Sequence, residues 1–282
     1  MIRRRRLGEA LRDLRERKGY TLQALSGELG WSHTKLSRLE NAKVRPDVAD
    51  VMDLLEVLGV DEEQERRFIS LARQANQRGW WRAYVEMPQR QAGYAEMEAG
   101  ATSIEEFALV YVPGLLQTPD YARTRFTDRE AVPDFDAEAA IRGRGERQRI
   151  LSRDKPVQYL AILDEAVLRR RTAEPSVMRG QLERLVQAAE LPNIVIRVLT
   201  FDAEVSHHSR PLNSFAVYHS SDVEDPELVS TETETSDMQL GDAEDVGRYL
   251  ALLGRVKLAA VDAAGSIRLI QAIIQDLPKE DQ

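Results

Sequence analysis

The chain contains no cysteine. Disulfides, thiolate metal sites and a cysteine nucleophile are thereby excluded, as expected in a reducing compartment. It also lacks any apolar run near the roughly 20 residues that cross a bilayer. The opening MIRRRR resembles the basic start of a secretion signal, but LGEALRDLRERKG follows, charged and amphipathic rather than apolar. We therefore expect a cytoplasmic protein with no membrane partner. Catalytic signatures are missing as well: no GxSxG, P-loop, GxGxxG or HExxH occurs. His207 and His208 are adjacent, and neighbouring histidines point apart on a helix or strand, so with His219 they make a poor metal set. Asp164 and Glu165 read as the start of a helix, where the macrodipole favours carboxylates. The expectation is a non-enzyme with no catalytic residues, no metal and no cofactor. An enzyme of unknown reaction tethered to DNA stays as an alternative.

Basic residues are unevenly spread. None occurs from Pro211 to Gly247, a stretch that holds ten Asp and Glu. Residues 1–46 instead carry 12 Lys and Arg against five Asp and Glu, although the whole chain has a net charge of −8. A basic head on an acidic body suggests two jobs. The head can meet an anionic polymer that the body repels. For Arg3 to Arg6 alone, a solvated arm is the competing reading.

At 282 residues the chain has room for one large domain or two. We place the division at 1–78 and 79–282. The first part reads as five short helices with punctuation. Leu7, Leu11 and Leu14 recur at helical spacing before Gly19 stops the run. Thr21 caps a second helix, with Leu22, Leu25 and Leu29 on one face and Gly30 at its end. Ser32 caps a third, and Asp47 a fourth that Gly59 ends. Asp61 opens a fifth, EEQERRFISLARQANQR. Composition then shifts at RGWWRAYVEMP, residues 78–88. Beyond it the pattern is mixed, and we assign an α+β class. FALVYVPGLLQ and VQYLAILD read as strands or buried runs, NIVIRVLTF as a strand with both faces covered, and NSFAVYH as a further short strand. SSDVEDPELVSTETETSD reads as a strand pair or a mobile loop. Helices interleave as DYARTRF (opened by Thr118 and Pro119), AEAAIRGRGERQRILSR, SVMRGQLERLVQAAE, DAEDVGRYLALLGRVKLAA and GSIRLIQAIIQDL.

Residues 21–41 carry the sharpest pattern. A steep crossing of two short helices needs a small residue, supplied by Ser26, and a turn residue tolerant of positive φ, supplied by Gly30. Leu25, Leu29, Leu36 and Leu39 are its anchors. At 100° per residue from Leu36, His33, Ser37, Asn41, Thr34 and Arg38 span about 60–200°. Every one can hydrogen-bond, and no carboxylate interrupts them; Glu40 lies toward the body. Arginine can fork onto guanine, and threonine can meet a thymine methyl. A solvated amphipathic helix is the plainer alternative.

LRERKGYTLQALSGELGWSHTKLSRLENAKVRP resembles the helix-turn-helix of the phage-repressor-like Xre family, over about residues 6–60. The resemblance implies that Trp31 to Glu40 is the recognition helix, bound in the major groove of double-stranded DNA. His33, Thr34 and Arg38 fall at the base-reading positions. Ser37, Asn41, Lys43 and Arg45 fall where the backbone is held. Arg15 and Glu40 correspond to a buried ion pair between the first and third helices. The family often places glutamine at the first position of the second helix. Leu22 stands there, and Gln23 beside it is the candidate phosphate contact, together with the helix N-terminus.

VPGLLQTPDYART, RQRIL, LDEAVLRR and QLERLVQAAELPNIVIRVL resemble the C-terminal domain, DUF5753-like and of uncharacterised function, of an actinobacterial regulator family. The match spans about 80–275 and loosens after Arg210. It implies a transcription regulator, expected as a homodimer on two half-sites at the nucleoid. It also admits an antitoxin-like role, with a small protein partner at the C-terminal domain. The acidic residues at 220–245 are a docking face or a solvated loop.

Overall fold

A computed structural model describes residues 2–76, 89–126, 136–206, 210–220, 227–233 and 237–278. The chain forms two compact units, one built on residues 1–80 and the other on 81–219 and 227–282. The expected division at 78/79 lies outside the described residues.

The first unit is all helical: α1 (Ile2–Arg17), α2 (Leu22–Glu28), α3 (His33–Glu40), α4 (Val48–Leu58) and α5 (Glu62–Asn76). Local chemistry sets the ends. Thr21, Ser32 and Asp47 each accept a hydrogen bond from the first turn of their helix. Asp61 accepts from the Gln64 N–H at 2.8 Å. Gly19, Gly30 and Gly59 take positive φ just past a helix end, where L side chains pay a steric penalty. Ala42 does the same after α3, at φ 55°. The predicted anchors Leu7, Leu11, Leu14, Leu25, Leu36 and Leu39 are buried in one core with Leu54, Leu55 and Leu58 of α4, while Leu22 and Leu29 pack half-buried against it. One expectation changes. Arg3 to Arg6 are not an arm; they form the first turns of α1, ahead of Leu7.

The second unit pairs a mixed six-stranded sheet with helices. In chain order it runs α6 (Gln89–Gly100), β1 (Ser103–Ala108), α7 (Pro119–Thr124), α8 (Ala137–Gln148), β2 (Gln158–Asp164), α9 (Glu165–Arg169), α10 (Pro175–Ala188) and β3 (Ile194–Leu199). Then come β4 (Phe215–His219), β5 (Leu228–Glu232), β6 (Asp237–Leu240), α11 (Ala243–Ala259) and α12 (Ala263–Asp276). The sheet order is β3-β2-β1-β4-β5-β6. The first three strands are parallel, and the last three run antiparallel to their neighbours. Phe107, Ile162, Phe215, Val217 and Val229 pack one face against Val246, Leu253 and Val256 of α11. No described helix is long and apolar enough to cross a membrane.

FALVYVPGLLQ, read as a strand or a buried run, is mostly the latter: Val112, Leu115 and Leu116 are buried, and only Phe107 and Ala108 belong to β1, which begins earlier, at Ser103. Pro113 lacks the N–H that a ladder needs, and Gly114–Leu116 closes as a short 3-10 turn. β3 was expected to be covered on both faces; one face is, and the other only in part, with Leu199 buried and Val195 exposed, and the strand lies at the sheet edge. Its Ile194, Ile196 and Val198 are buried on one side. On the other, Arg197 donates to the carbonyls of Val261 (2.9 Å) and Ala260. The acidic region forms the antiparallel pair β5–β6, whose Leu228 to Thr231 are buried. Residues 221–226 and 234–236 lie outside the described set.

Candidate nucleic-acid interface and a cavity in the second unit

The turn between α2 and α3 is tight. Gly30 turns the chain at φ 64°, and the Trp31 N–H returns to the Ser26 carbonyl at 2.8 Å. Leu36 and Leu39 face the core, so the opposite side of α3 faces solvent. His33, Thr34 and Arg38 are exposed on it, with Ser37 half-buried and Asn41 exposed. Gln23 and Lys43 are exposed, and Arg45 is half-buried. Trp31 packs against the core and carries the Lys35 ammonium 3.9 Å from its ring. Lys35 also pairs with Asp50 of α4 at 2.6 Å, which ties it to the body of the domain. Leu22 rests on the core, leaving Gln23 as the polar side chain at the start of α2.

A polar cluster holds α3 to α1. Arg15 donates from Nε and Nη2 to the two oxygens of Glu40, at 2.7 and 3.0 Å. Both side chains are buried, and the bond from Glu40 pushes the guanidinium further above its already high range. Arg15 also donates to the Tyr20 carbonyl at 2.9 Å. One turn earlier, Arg12 donates to Asn41 Oδ1 at 2.8 Å. The Asn41 amide in turn donates to the Ser37 carbonyl at 2.7 Å, so this side chain closes the end of α3. Gly8 sits one turn before Arg12. A Cβ there would lie 2.3 Å from the Glu40 carbonyl oxygen, so the backbones nearly touch. Gly8, Arg12 and Arg15 share one face at i, i+4 and i+7, a signal present in the sequence. Ser26, read as the small residue between α2 and α3, is buried there; Gly8 and Arg12, which meet α3 from α1, were not singled out.

The second unit holds a partly open cavity of about 360 Å³. Its floor is the sheet, where period-two alternation aims Ile104, Glu106 and Ala108 of β1, Ala216 and Tyr218 of β4, and Ser230 and Glu232 of β5 to one face. Its roof is helical. α6 supplies Gln91, Tyr94 and Glu98, and α8 supplies Ala140, Arg144 and Arg147, each set on one helical face. The wall is the segment 109–117, built by glutamines. Gln117 donates to the Val112 carbonyl at 2.6 Å, and Gln148 donates to the carbonyls of Gly114 and Gln117 at 3.0 and 2.8 Å. Gln181 accepts from the Thr118 N–H and donates to the Leu116 carbonyl. The distinctive VPGLLQTPDYART is thus cavity wall followed by the Thr118-capped α7.

Inside, Arg147 forks onto Glu98, with Nε 3.1 and 3.0 Å from its two oxygens, and donates to Gln91 at 2.7 Å. The Tyr159 hydroxyl donates to Glu106 at 2.6 Å. Burial pushes the Glu106 carboxyl up to about 7, against the opposing pull of that hydrogen bond. Burial likewise holds the Tyr159 and Tyr218 hydroxyls protonated. Sequence reading missed this site because no single segment carries it. α6 went unrecognised, and the carboxylates of SIEEFA hid the alternation of β1.

The other sites considered take ordinary roles. Asp164 caps α9 through the Ala166 N–H, and Glu165 accepts from Arg169 and from the Phe201 N–H. His219 Nδ1 lies 2.7 Å from Glu227, whereas His207 and His208 lie outside the described residues. Among the described residues no group of three or more His, Asp or Glu is placed to hold a metal.

Comparison with known families agrees with the two-part architecture. Residues 6–68 match the model of a helix-turn-helix domain, and residues 91–272 match that of a domain of unknown function, DUF5753. No curated protein and no solved structure matches the chain. The helix-turn-helix points to a DNA-binding regulator, and over most of its length the chain belongs to the DUF5753 family.

Proposed function

We propose that the protein is a sequence-specific transcription regulator. In this reading α3 enters the major groove, and His33, Thr34 and Arg38 read bases. Gln23, Ser37, Lys43 and Arg45 hold the phosphate backbone. Asn41 contributes less there, since its amide already bridges Arg12 and the end of α3. The observation that carries the proposal is the solvent face of α3. It is exposed, polar and free of carboxylates, because Glu40 is turned inward onto Arg15. Phosphate contacts set register and base contacts set sequence preference, so the two groups separate experimentally. Arg38→Ala should weaken operator binding by roughly 1–3 kcal/mol and relax sequence preference. Equal losses on operator and random DNA would remove Arg38 from base reading.

The regulator acts as a homodimer at the nucleoid, on half-sites about one helical turn apart, the geometry that two-fold helix-turn-helix readers share. Footprinting tests the spacing; a single protected half-site overturns it. The second domain senses a small ligand. The concave pocket, lined by both polar and aromatic side chains, supports this reading, since concave pockets with a few convergent polar groups are where small molecules bind.

A further inference from the structure

Two cations in the cavity of the second unit rest on neutral groups. Arg125, Arg144 and Arg147 line it with Glu98, Glu106 and Glu232. Each acid is answered by the protein. Glu98 takes the fork of Arg147, and Glu106 receives the Tyr159 hydroxyl at 2.6 Å. Glu232, exposed at the rim, faces the Tyr94 hydroxyl. Glu106 also holds its proton up to about 7, so below that it adds little charge. The arginines divide differently. Arg147 meets Glu98, whereas Arg125 lies 3.0 Å over the Tyr111 ring and enters no ion pair among the described residues. Arg144 donates to Gln117 and lies 5.0 Å over the Phe126 ring.

The wall segment 109–117 gathers these guanidinium groups. Arg125 stacks on its Tyr111, and Arg144 lies over the ring of Phe126, the residue beside Arg125. Further along the same wall stands Gly114. A Cβ there would be 3.9 Å from Arg144 Nε and 3.9 Å from both terminal nitrogens of Arg147. The glycine thus leaves open a space bordered by the N–H groups of two arginines. Arg144 Nε is buried with no acceptor among the described residues. Glu98 bonds the Nε side of Arg147, and the terminal nitrogens border the space at Gly114. Like charges gathered away from water repel, and an anion among them relieves that repulsion.

We propose that this cavity binds a small organic acid, its carboxylate seated beside Gly114 between Arg125 and Arg144 and its apolar body on the sheet floor. The planar guanidinium fork matches the two oxygens of a carboxylate. Ile104 and Ala108 of β1, Ala216 of β4 and Leu109 and Leu115 of the wall offer the body an apolar surface. The volume, about 360 Å³, holds about a dozen heavy atoms at the roughly 30 Å³ that one water occupies. A cation would meet Arg125 and Arg144 at the wall. A second negative charge on the ligand would face Glu98 and Glu232 across the cavity, which favours monoacids.

The inference rests on the ligand-sensing reading above, and its test is read without DNA so that the two fail separately. At pH 6.5 the full chain is titrated with benzoate and hexanoate, against benzamide, hexanamide and benzylamine at equal ionic strength, by calorimetry and thermal melts. At least one acid is expected to bind saturably and raise the melting midpoint. Its amide should bind at least tenfold more weakly, and benzylamine not at all. Arg125→Gln removes the charge and should lose at least tenfold in affinity; Arg125→Lys keeps the charge without the fork and should fall between. Gly114→Ala leaves every guanidinium in place. Gly114 has no positive φ, and the added methyl makes only ordinary contacts, so the ligand-free midpoint should hold. The methyl nevertheless intrudes on the carboxylate seat and should weaken binding severalfold. If Arg125→Gln melts early without ligand, Gly114→Ala decides. No saturable binding by either acid overturns the proposal. So does an amide that binds as tightly as its acid, or unchanged affinity in a folded Arg125→Gln or in Gly114→Ala. Acid binding that leaves operator affinity unaltered upholds the site and removes the sensing role.

Discussion

Replacing Gly8 by alanine separates helix propensity from tertiary contact. In an exposed helix interior the change stabilises by about 1 kcal/mol. Gly27 provides that case in the same domain: it lies in α2, and a Cβ there meets nothing within 4 Å. At Gly8 the added Cβ would sit 2.3 Å from the Glu40 carbonyl oxygen and 2.9 Å from its carbonyl carbon. Close C–H···O contacts settle near 3.3–3.6 Å, so α1 and α3 must part by about 1 Å. The obstructing atoms are backbone, which cannot swing aside as a long side chain can. Overpacking of this kind costs about 1–3 kcal/mol, and a backbone obstruction belongs at the upper end. Set against the propensity gain, the net loss is about 2 kcal/mol. For a helical domain of this size that lowers the midpoint by about 10 °C. Circular dichroism melts of the full chain, with Gly8→Ala and Gly27→Ala side by side, read it directly. Operator affinity should fall only in the first, because the displaced segment is the end of α3. If Gly8→Ala raises the midpoint as Gly27→Ala does, the close approach of α1 and α3 is wrong.

The other expectations are briefer. Glu106→Gln should flatten the pH dependence of stability. Its carboxyl holds a proton in the folded state up to about 7 and in the unfolded state only to the ordinary range, so wild-type stability falls as pH rises between the two. The loss is at most about 3 kcal/mol; a Gln variant with the same pH slope in urea melts contradicts the enclosure of Glu106. Glu40→Gln or Arg15→Met each leaves a buried charge unmatched and should cost about 3–5 kcal/mol, while Arg15→Met with Glu40→Leu should recover much of it. Additive losses in that double-mutant cycle refute a direct pair. Lys43→Ala should weaken binding to any duplex alike and reduce the salt slope by about one unit, read from affinity against salt concentration.

What the sequence by itself determined is what short-range chemistry controls. The caps Thr21, Ser32, Asp47, Asp61 and Thr118 bond to their own first turn, so each helix start is legible within four residues. Gly19, Gly30 and Gly59 mark ends because only the local backbone decides the cost of positive φ. The inward and outward faces of α3 follow from its period alone, and so does the inward turn of Glu40. The second domain was legible as a class and in most of its helices. Its site was not, since the cavity joins residues from α6 to β5 that no spacing rule relates. Strand order also needed tertiary structure: β3 reads as a strand with both faces covered, which does not say that it sits at the sheet edge, where Val195 is exposed. Hydrophobic alternation reports which residues prefer burial; it carries no information about which strand lies beside which. The charge of Glu106 belongs to that second category. Its residue type is ordinary, and only enclosure beneath α6 and α8, with Glu98 claiming Arg147, leaves it short of a cation.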